Sequence, residues 1–142
     1  MISLVTLGFI FLGMLYMHVI DDYVLQNSLA RLKQHDWWVQ QPNFSKMYAN
    51  DYKAALLAYA FEWSGSILCL PIIYTLIKCQ ELNYNVVGLT LIFLFLLNTF
   101  IHYKIDDAKA NMKIINLVQD QIFHVIQVVF SFCIWVLVII LS

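Results

Sequence analysis

Four stretches of the chain, Ile2 to about Ile20, Ala54 to Ile77, Val86 to Tyr103 and Leu117 to Leu141, are apolar over nearly the length a helix needs to cross a lipid bilayer. That length is roughly 20 residues, because the hydrocarbon core is about 30 Å thick and an α-helix rises about 1.5 Å per residue. The apolar residues are gathered into these runs instead of being spread at the helical or strand spacing of a soluble fold. With 12% of its residues charged, the chain has about half the charged fraction of an ordinary soluble domain, and its mean hydropathy is +0.75. The fold class expected is all-α, a polytopic membrane protein built as a four-transmembrane-helix bundle. Its single transmembrane domain, residues 1–142, carries helices at about 2–26, 54–77, 86–109 and 117–141, with a cytoplasmic interfacial segment at 27–53. A water-soluble domain is excluded.

The first run begins at Met1, where a secretory signal would also begin. It lacks the basic n-region and the small-residue cleavage site of such a signal and reads as a retained helix. Cys69, Cys79 and Cys133 lie in or beside apolar runs without CxxC spacing, so they read as small residues of membrane helices, not as disulfides or metal ligands.

Orientation comes from the cations. Of the eight Lys and Arg residues, Arg31, Lys33, Lys46 and Lys53 lie between the first and second runs and Lys104, Lys109 and Lys113 between the third and fourth, leaving Lys78 alone on the other side. The positive-inside rule then sets 27–53 and 104–116 in the cytoplasm, with both termini and the 78–85 loop outside, in the inner (cytoplasmic) membrane. Segment 27–53 mixes Trp37, Trp38, Phe44, Tyr48 and Tyr52 with its charges, which suits the headgroup layer, and a surface helix or re-entrant piece is expected there. A net charge of −1 gives no reason to expect nucleic acid. The partners expected are membrane lipids and an amphipathic small-molecule substrate, with a homo-oligomer left open.

Ionisable residues inside membrane helices are costly, so their placement carries information about function. The first run ends in an HxxxD pair, His18 and Asp22, and the third in another, His102 and Asp106. The fourth opens with the reverse, DxxxH, at Asp120 and His124. On an α-helix this spacing stacks an imidazole and a carboxylate one turn apart on one face, where both can reach one metal ion. The reversal in the fourth run is what a shared site needs in an antiparallel bundle, and all three pairs fall at similar depth near one membrane face. Taken singly, each His reads as an interfacial side chain and each Asp as a cap or a solvated group. Three matched pairs at one depth point instead to a shared polar site holding a metal. Imidazole and carboxylate donors suit a divalent transition metal, zinc first and manganese or iron as alternatives, and no thiolate is placed to close a structural zinc site. Six such ligands suffice for one or two ions.

Other residues are weaker candidates. Glu62, about two turns into the second helix and expected to face the bundle, reads as a further ligand, a general base or a structural hydrogen-bonding carboxylate. Asp21 and Asp107 sit about 100° round the helix from the paired carboxylates, facing elsewhere or supporting a ligand from behind. Gln26, two turns beyond His18, is placed to orient a ligand, and Lys109, one turn past Asp106, to meet an anionic group. With Gln121 and Arg31 these form the candidate substrate-binding set. His35 has no carboxylate at ligand spacing and reads as solvated.

The ordered set HxxxDxxxQ at His18, Asp22 and Gln26, HxxxDxxK at His102, Asp106 and Lys109, and DQxxH at Asp120, Gln121 and His124 resembles a family of small bacterial and phage membrane proteins catalogued as domain of unknown function 3307. The resemblance spans nearly the whole chain. That family is in turn similar to membrane-bound, metal-dependent hydrolases whose helices carry comparable His/Asp motifs. The resemblance implies a helical membrane protein with a His/Asp site of hydrolytic role, and it brings no substrate. Relatives carry a further His early in the second helix, where this chain reads Leu57-Ala58-Tyr59-Ala60-Phe61-Glu62. Either Tyr59 or Glu62 substitutes, or that ligand is missing.

Three function classes follow. The first is a metal-dependent hydrolase acting on an amphipathic, anionic, lipid-type substrate at the cytoplasmic leaflet, with Glu62, Asp22 or Asp106 as catalytic carboxylate. The second is a metal-ion or proton transporter or channel using the same residues as a binding station. The third is a structural or regulatory membrane subunit whose polar cluster locks helices together. A transport path should continue across the bilayer, yet the outer halves offer little beyond Thr6, Ser64, Ser66 and Thr90, with Gln127 on the inner half of the fourth helix. That favours the first class over the second.

Overall fold

Each apolar run forms one long helix, and side-chain caps fix several of the boundaries. The computed structural model describes residues 2–42 and 48–142. Helix α1 spans Leu4–Ile20 and continues through a π-helical turn, Asp21–Leu25. Two short helices follow, α2 (Leu29–Leu32) and α3 (His35–Val39), and then the long helices α4 (Asp51–Ile77), α5 (Tyr84–Ala110) and α6 (Leu117–Leu141). The Ser3 hydroxyl accepts the Thr6 N–H at 3.0 Å to start α1. Asn116 and Gln119 form a reciprocal capping box at the start of α6, satisfying two backbone donors that the helix leaves free. The expected helix positions hold to within a few residues, the largest shift being α4, which begins at Asp51 instead of Ala54. Phe44 and Lys46, expected in the headgroup layer, lie outside the described residues.

The four long segments run for 22, 27, 27 and 25 residues, or about 33–40 Å at 1.5 Å per residue. They pack in a ring, α1 on α4, α4 on α5, α5 on α6 and α6 back on α1, in up-down-up-down order. The inside of the ring is filled by Met14, Trp63, Ile67, Leu94, Val128 and Trp135, all fully buried. Its outside is apolar too. Phe9, Leu12, Leu89, Ile92, Phe93 and Leu96 are each 59–72% exposed, and such side chains continue round every long helix. A surface of this kind is stable only against lipid tails, and the protein is therefore membrane-embedded.

Two local features shape the ring. At Gly13 an added Cβ would run into the Leu70 side chain, so the missing side chain lets α1 lie close to α4. Pro71 inside α4 removes one backbone donor, and the Thr75 hydroxyl donates to the Pro71 carbonyl at 2.8 Å on the same stretch.

Helices α2 and α3 fold back over one end of the ring. Asn111, just past α5, accepts the His35 N–H at 2.8 Å and donates to the Lys33 carbonyl at 3.2 Å and the Asp107 carboxylate at 2.7 Å. Lys113 pairs with Asp36 at 2.6 Å on the surface, and this ammonium holds the Asp36 carboxyl below the usual carboxylate range. An exposed pair of this kind adds little stability, so the half-buried Asn111 contacts are the stronger tie. His35, expected to be solvated, is half-buried with its ring edge-on to Tyr52 at 5.2 Å.

Candidate functional site

The three His–carboxylate pairs do converge, at the end of the ring under the folded-back segment. His124 lies seven residues from the start of α6, about 10 Å into the bundle, and His102 lies eight residues before the end of α5, about 12 Å in. The π-turn prepares the α1 contribution. There the Gln26 N–H reaches the Asp21 carbonyl at 3.0 Å, one residue further than in an α-helix, and such widened turns recur at functional sites. Both adjacent carboxylates consequently face protein. Asp21, fully buried, accepts from Ser66 Oγ at 2.9 Å with its Oδ2 left unpartnered. Asp22 accepts from Tyr59 Oη at 2.5 Å and from Gln121 Nε2 at 2.6 Å.

His124 is the centre of the cluster. Its Nε2 lies 3.4 Å from Asp106 Oδ1 and 3.4 Å from Asp120 Oδ1. The second oxygen of each carboxylate is held by a lysine: Lys33 Nζ is 2.5 Å from Asp106 Oδ2, and Lys109 Nζ is 2.6 Å from Asp120 Oδ2. Each aspartate thus presents one oxygen inward while a cation fixes the other, a common way of orienting a metal ligand from behind. His102 stacks between Trp63, at 4.3 Å, and His124, at 4.2 Å, with 25° between ring planes in both cases.

The deeper hydrogen bonds determine which nitrogen of His124 is free. Gln127 Nε2 donates to the backbone carbonyl of Asn98 at 3.3 Å and to its Oδ1 at 3.2 Å, which turns Gln127 Oε1 toward His124 Nδ1 at 3.2 Å. A carbonyl oxygen only accepts, so His124 Nδ1 carries a proton and Nε2 is the nitrogen turned toward the two aspartates. Asn98 is anchored in turn by Ser131, 2.7 Å away. Past Ser131 the next polar contact is the Trp135 indole on Thr75 at 3.3 Å, and the surroundings there are apolar.

Several buried atoms in this cluster have no hydrogen-bond partner: His102 Nδ1 and Nε2, Asp120 Oδ1 and His124 Nε2. Leaving such groups unpaired costs roughly 1–3 kcal/mol each, so their concentration at one point needs an explanation. A divalent metal supplies one. Donors around a tetrahedral ion at metal–donor distances of about 2.0–2.1 Å sit about 3.3 Å apart, which the two 3.4 Å separations match. Two sets of donors lie close enough to share an ion, His102 with Asp106 and His124, and Asp22 with Asp120 and His124. Both need His124, whose Nδ1 is already occupied. The residues therefore fit one ion better than two.

The remaining candidates divide clearly. Gln121 is in the site, bridging Asp22 and Asp120 at 2.6 and 3.2 Å, and Lys109 is there as the partner of Asp120. His18 is buried beside the cluster but belongs to neither donor set: its Nδ1 accepts the Trp63 indole N–H at 3.1 Å and stands 3.9 Å from Asp22. Glu62 is exposed, against the expectation that it faces the bundle. The inward face of α4 is taken by Tyr59, Trp63 and Ser66, spaced i, i+4, i+7, and Glu62, at i+3, sits at the edge of that stripe with its side chain exposed. Arg31 is exposed, and Gln26 ends the π-turn beyond the cluster, just before the chain breaks helix at Asn27 with φ 37°.

Lys33 is the residue that sequence reasoning missed. Only 6% exposed, it reaches from the end of α2 to Asp106 and lies over the Tyr59 ring at 4.3 Å. Its sequence neighbourhood is ordinary interfacial chain and carries no signal of this role. On the α1–α6 side a groove of about 440 Å³ runs along the membrane face from Ile126 to Gln121, walled by Tyr23, Val118 and Ile122. Of the cluster residues, Gln121 lines it. Comparison of the chain with protein-family models, with curated proteins and with solved structures finds no match in any of the three.

Proposed function

We propose that this protein is a membrane-embedded, metal-dependent hydrolase acting on an amphipathic, anionic, lipid-type substrate. The observation that carries the reading is the convergence of unpaired buried donors on His124 Nε2, with the outer oxygens of Asp106 and Asp120 fixed by Lys33 and Lys109. His124 would hold the ion, zinc first among divalent metals, together with either His102 and Asp106 or Asp22 and Asp120, the two donor sets that share it. Such an ion supplies Lewis acidity toward water and toward a phosphoryl or acyl oxygen.

The chain's own groups do the rest. Tyr59 and Gln121 hold Asp22 by both oxygens, leaving its carboxylate placed to take a proton at the edge that meets the α1–α6 groove. Lys109, one-third exposed, offers its ammonium to an anionic headgroup at the mouth of the site. The apolar groove suits an acyl chain, which favours a lipid-linked phosphoester over a peptide. The resemblance to the hydrolase-like family supports the same reading. The test is chelator-sensitive product release from a panel of membrane lipids and lipid-linked phosphates, compared between wild type and His102→Ala. Equal release in both, or ion movement across proteoliposomes without hydrolysis, would overturn it.

A second reading has its own support. Lys33–Asp106 and Lys109–Asp120 are close ion pairs that need no metal, as expected if the cluster only locks α2, α5 and α6 together in a structural subunit. It differs in one respect, since a structural lock gives no chelator-sensitive turnover.

The cation distribution supports an inner-membrane orientation with the cluster at the cytoplasmic leaflet and both termini outside. A reporter fused after Ser142 is then expected to be active on the extracytoplasmic side. A cysteine replacing exposed Gln34 is expected to resist impermeant labelling in intact cells. The reverse pattern would place the site at the opposite leaflet.

A further inference from the structure

The described lysines fall into two groups. Lys33, Lys78, Lys109 and Lys113 each hold a carboxylate at 2.5–2.6 Å. Lys53 and Lys104 are exposed and, among the described residues, pair with none. These two share a single groove of about 490 Å³ on the α4–α5 seam, away from the His/Asp cluster.

The groove has a polar rim and apolar walls. Lys104 projects from the lipid-facing side of α5 six residues before the helix ends, about 9 Å short of it. Its stem lies beside the Phe100 and Tyr103 rings, with Nζ 5.8 and 5.6 Å from their centres. Lys53 rises from the first turn of α4 with Nζ 5.7 Å from the Tyr52 ring. Both ammonium groups are thus carried on stems laid along apolar or aromatic surface, with the charge directed to the interface. Below them Leu57, Phe100 and Leu96 line the wall, 54–61% exposed. From Lys104 to Leu96 is eight residues, so the apolar part runs about 12 Å along the helix into the hydrocarbon layer. Only an acyl chain can fill it there.

From this arrangement we propose that the α4–α5 seam is a binding site for one anionic phospholipid, its phosphate between Lys53 and Lys104 and an acyl chain along Leu57, Phe100 and Leu96. Charge selects the headgroup. A zwitterionic lipid would bring its own cation toward the two lysines, whereas a phosphatidylglycerol-type headgroup brings none. The site is independent of the hydrolase reading, since none of its residues contributes to the His/Asp cluster.

Native mass spectrometry of the full-length protein, released from micelles doped with phosphatidylglycerol or phosphatidylcholine, tests this. Wild type is expected to retain one phosphatidylglycerol in preference to phosphatidylcholine. At about 1 kcal/mol per interfacial lysine, Lys53→Gln or Lys104→Gln is expected to weaken retention about five-fold and the double variant about thirty-fold. Lys53→Arg with Lys104→Arg is expected to keep it, and Lys78→Gln, at the other end of the bundle, to leave it unchanged. Leu96→Trp, which fills the groove without altering charge, is expected to lose the lipid and serves if the double Gln variant does not fold. Lack of headgroup preference in wild type, undiminished retention in Leu96→Trp or in the folded double Gln variant, or displacement of the lipid by inorganic phosphate alone would overturn the proposal.

Discussion

Replacing His124 by alanine is expected to abolish metal retention, lowering affinity by more than about 100-fold, and to remove turnover with it. The reason is geometric: His124 Nε2 is the donor common to both candidate sets, so no alternative set survives its loss. His102→Ala removes a donor from one set only and is expected to cost less. Gln127→Leu touches no donor but deprives His124 Nδ1 of its acceptor, freeing the ring to adopt the wrong tautomer. A loss of about 10–100-fold in affinity is expected there, the usual range for a residue that orients a metal ligand. Competitive chelator titration of the purified variants checks the ranking, and an equal effect of all three would contradict it. Glu62→Gln, on the exposed face of α4, is expected to retain metal like wild type.

Lys33→Met is expected to destabilise the metal-free protein by about 3–5 kcal/mol, because it leaves the buried Asp106 carboxylate without its cation. Bound metal would replace part of that missing positive charge. The loss in thermal stability should therefore shrink when zinc is added, whereas a purely structural pair would respond to Lys33→Met alike with and without metal. Lys33→Met combined with Asp106→Leu removes both charges and is expected to recover most of the stability while binding no metal. Thermal melts in detergent, with and without zinc, distinguish these outcomes.

The bundle was legible because lipid imposes a length on each helix, and the runs around Met14, Ile67, Leu94 and Val128 have that length. The three His–Asp pairs were legible because i, i+4 spacing within one helix depends on nothing outside it. What depends on helix rotation was harder. Helix α4 is apolar nearly all round, so its hydrophobic pattern gave no inward face, and Glu62 attracted notice as the only formal charge in its middle. The Tyr59–Trp63–Ser66 stripe, three side chains with polar tips at i, i+4, i+7, marked the inward face, but Glu62 at i+3 lies at its edge, so spacing alone did not turn it outward. His18 looked equivalent to His102 and His124, but the Trp63 indole claims its Nδ1, a contact made from another helix. Lys33 was out of reach of such reasoning. Its insertion follows from Asn111 drawing the chain at Lys33 and His35 back over the bundle, a tertiary contact 78 residues apart in the chain.

The most direct test of the account is elemental analysis of the wild-type protein purified from membranes without chelators. About one transition-metal ion per chain is expected, with zinc the first candidate, removable by chelator with a fall in thermal stability that added metal restores. Folded wild-type protein that holds no stoichiometric transition metal, and whose melting is unmoved by added zinc, would contradict it.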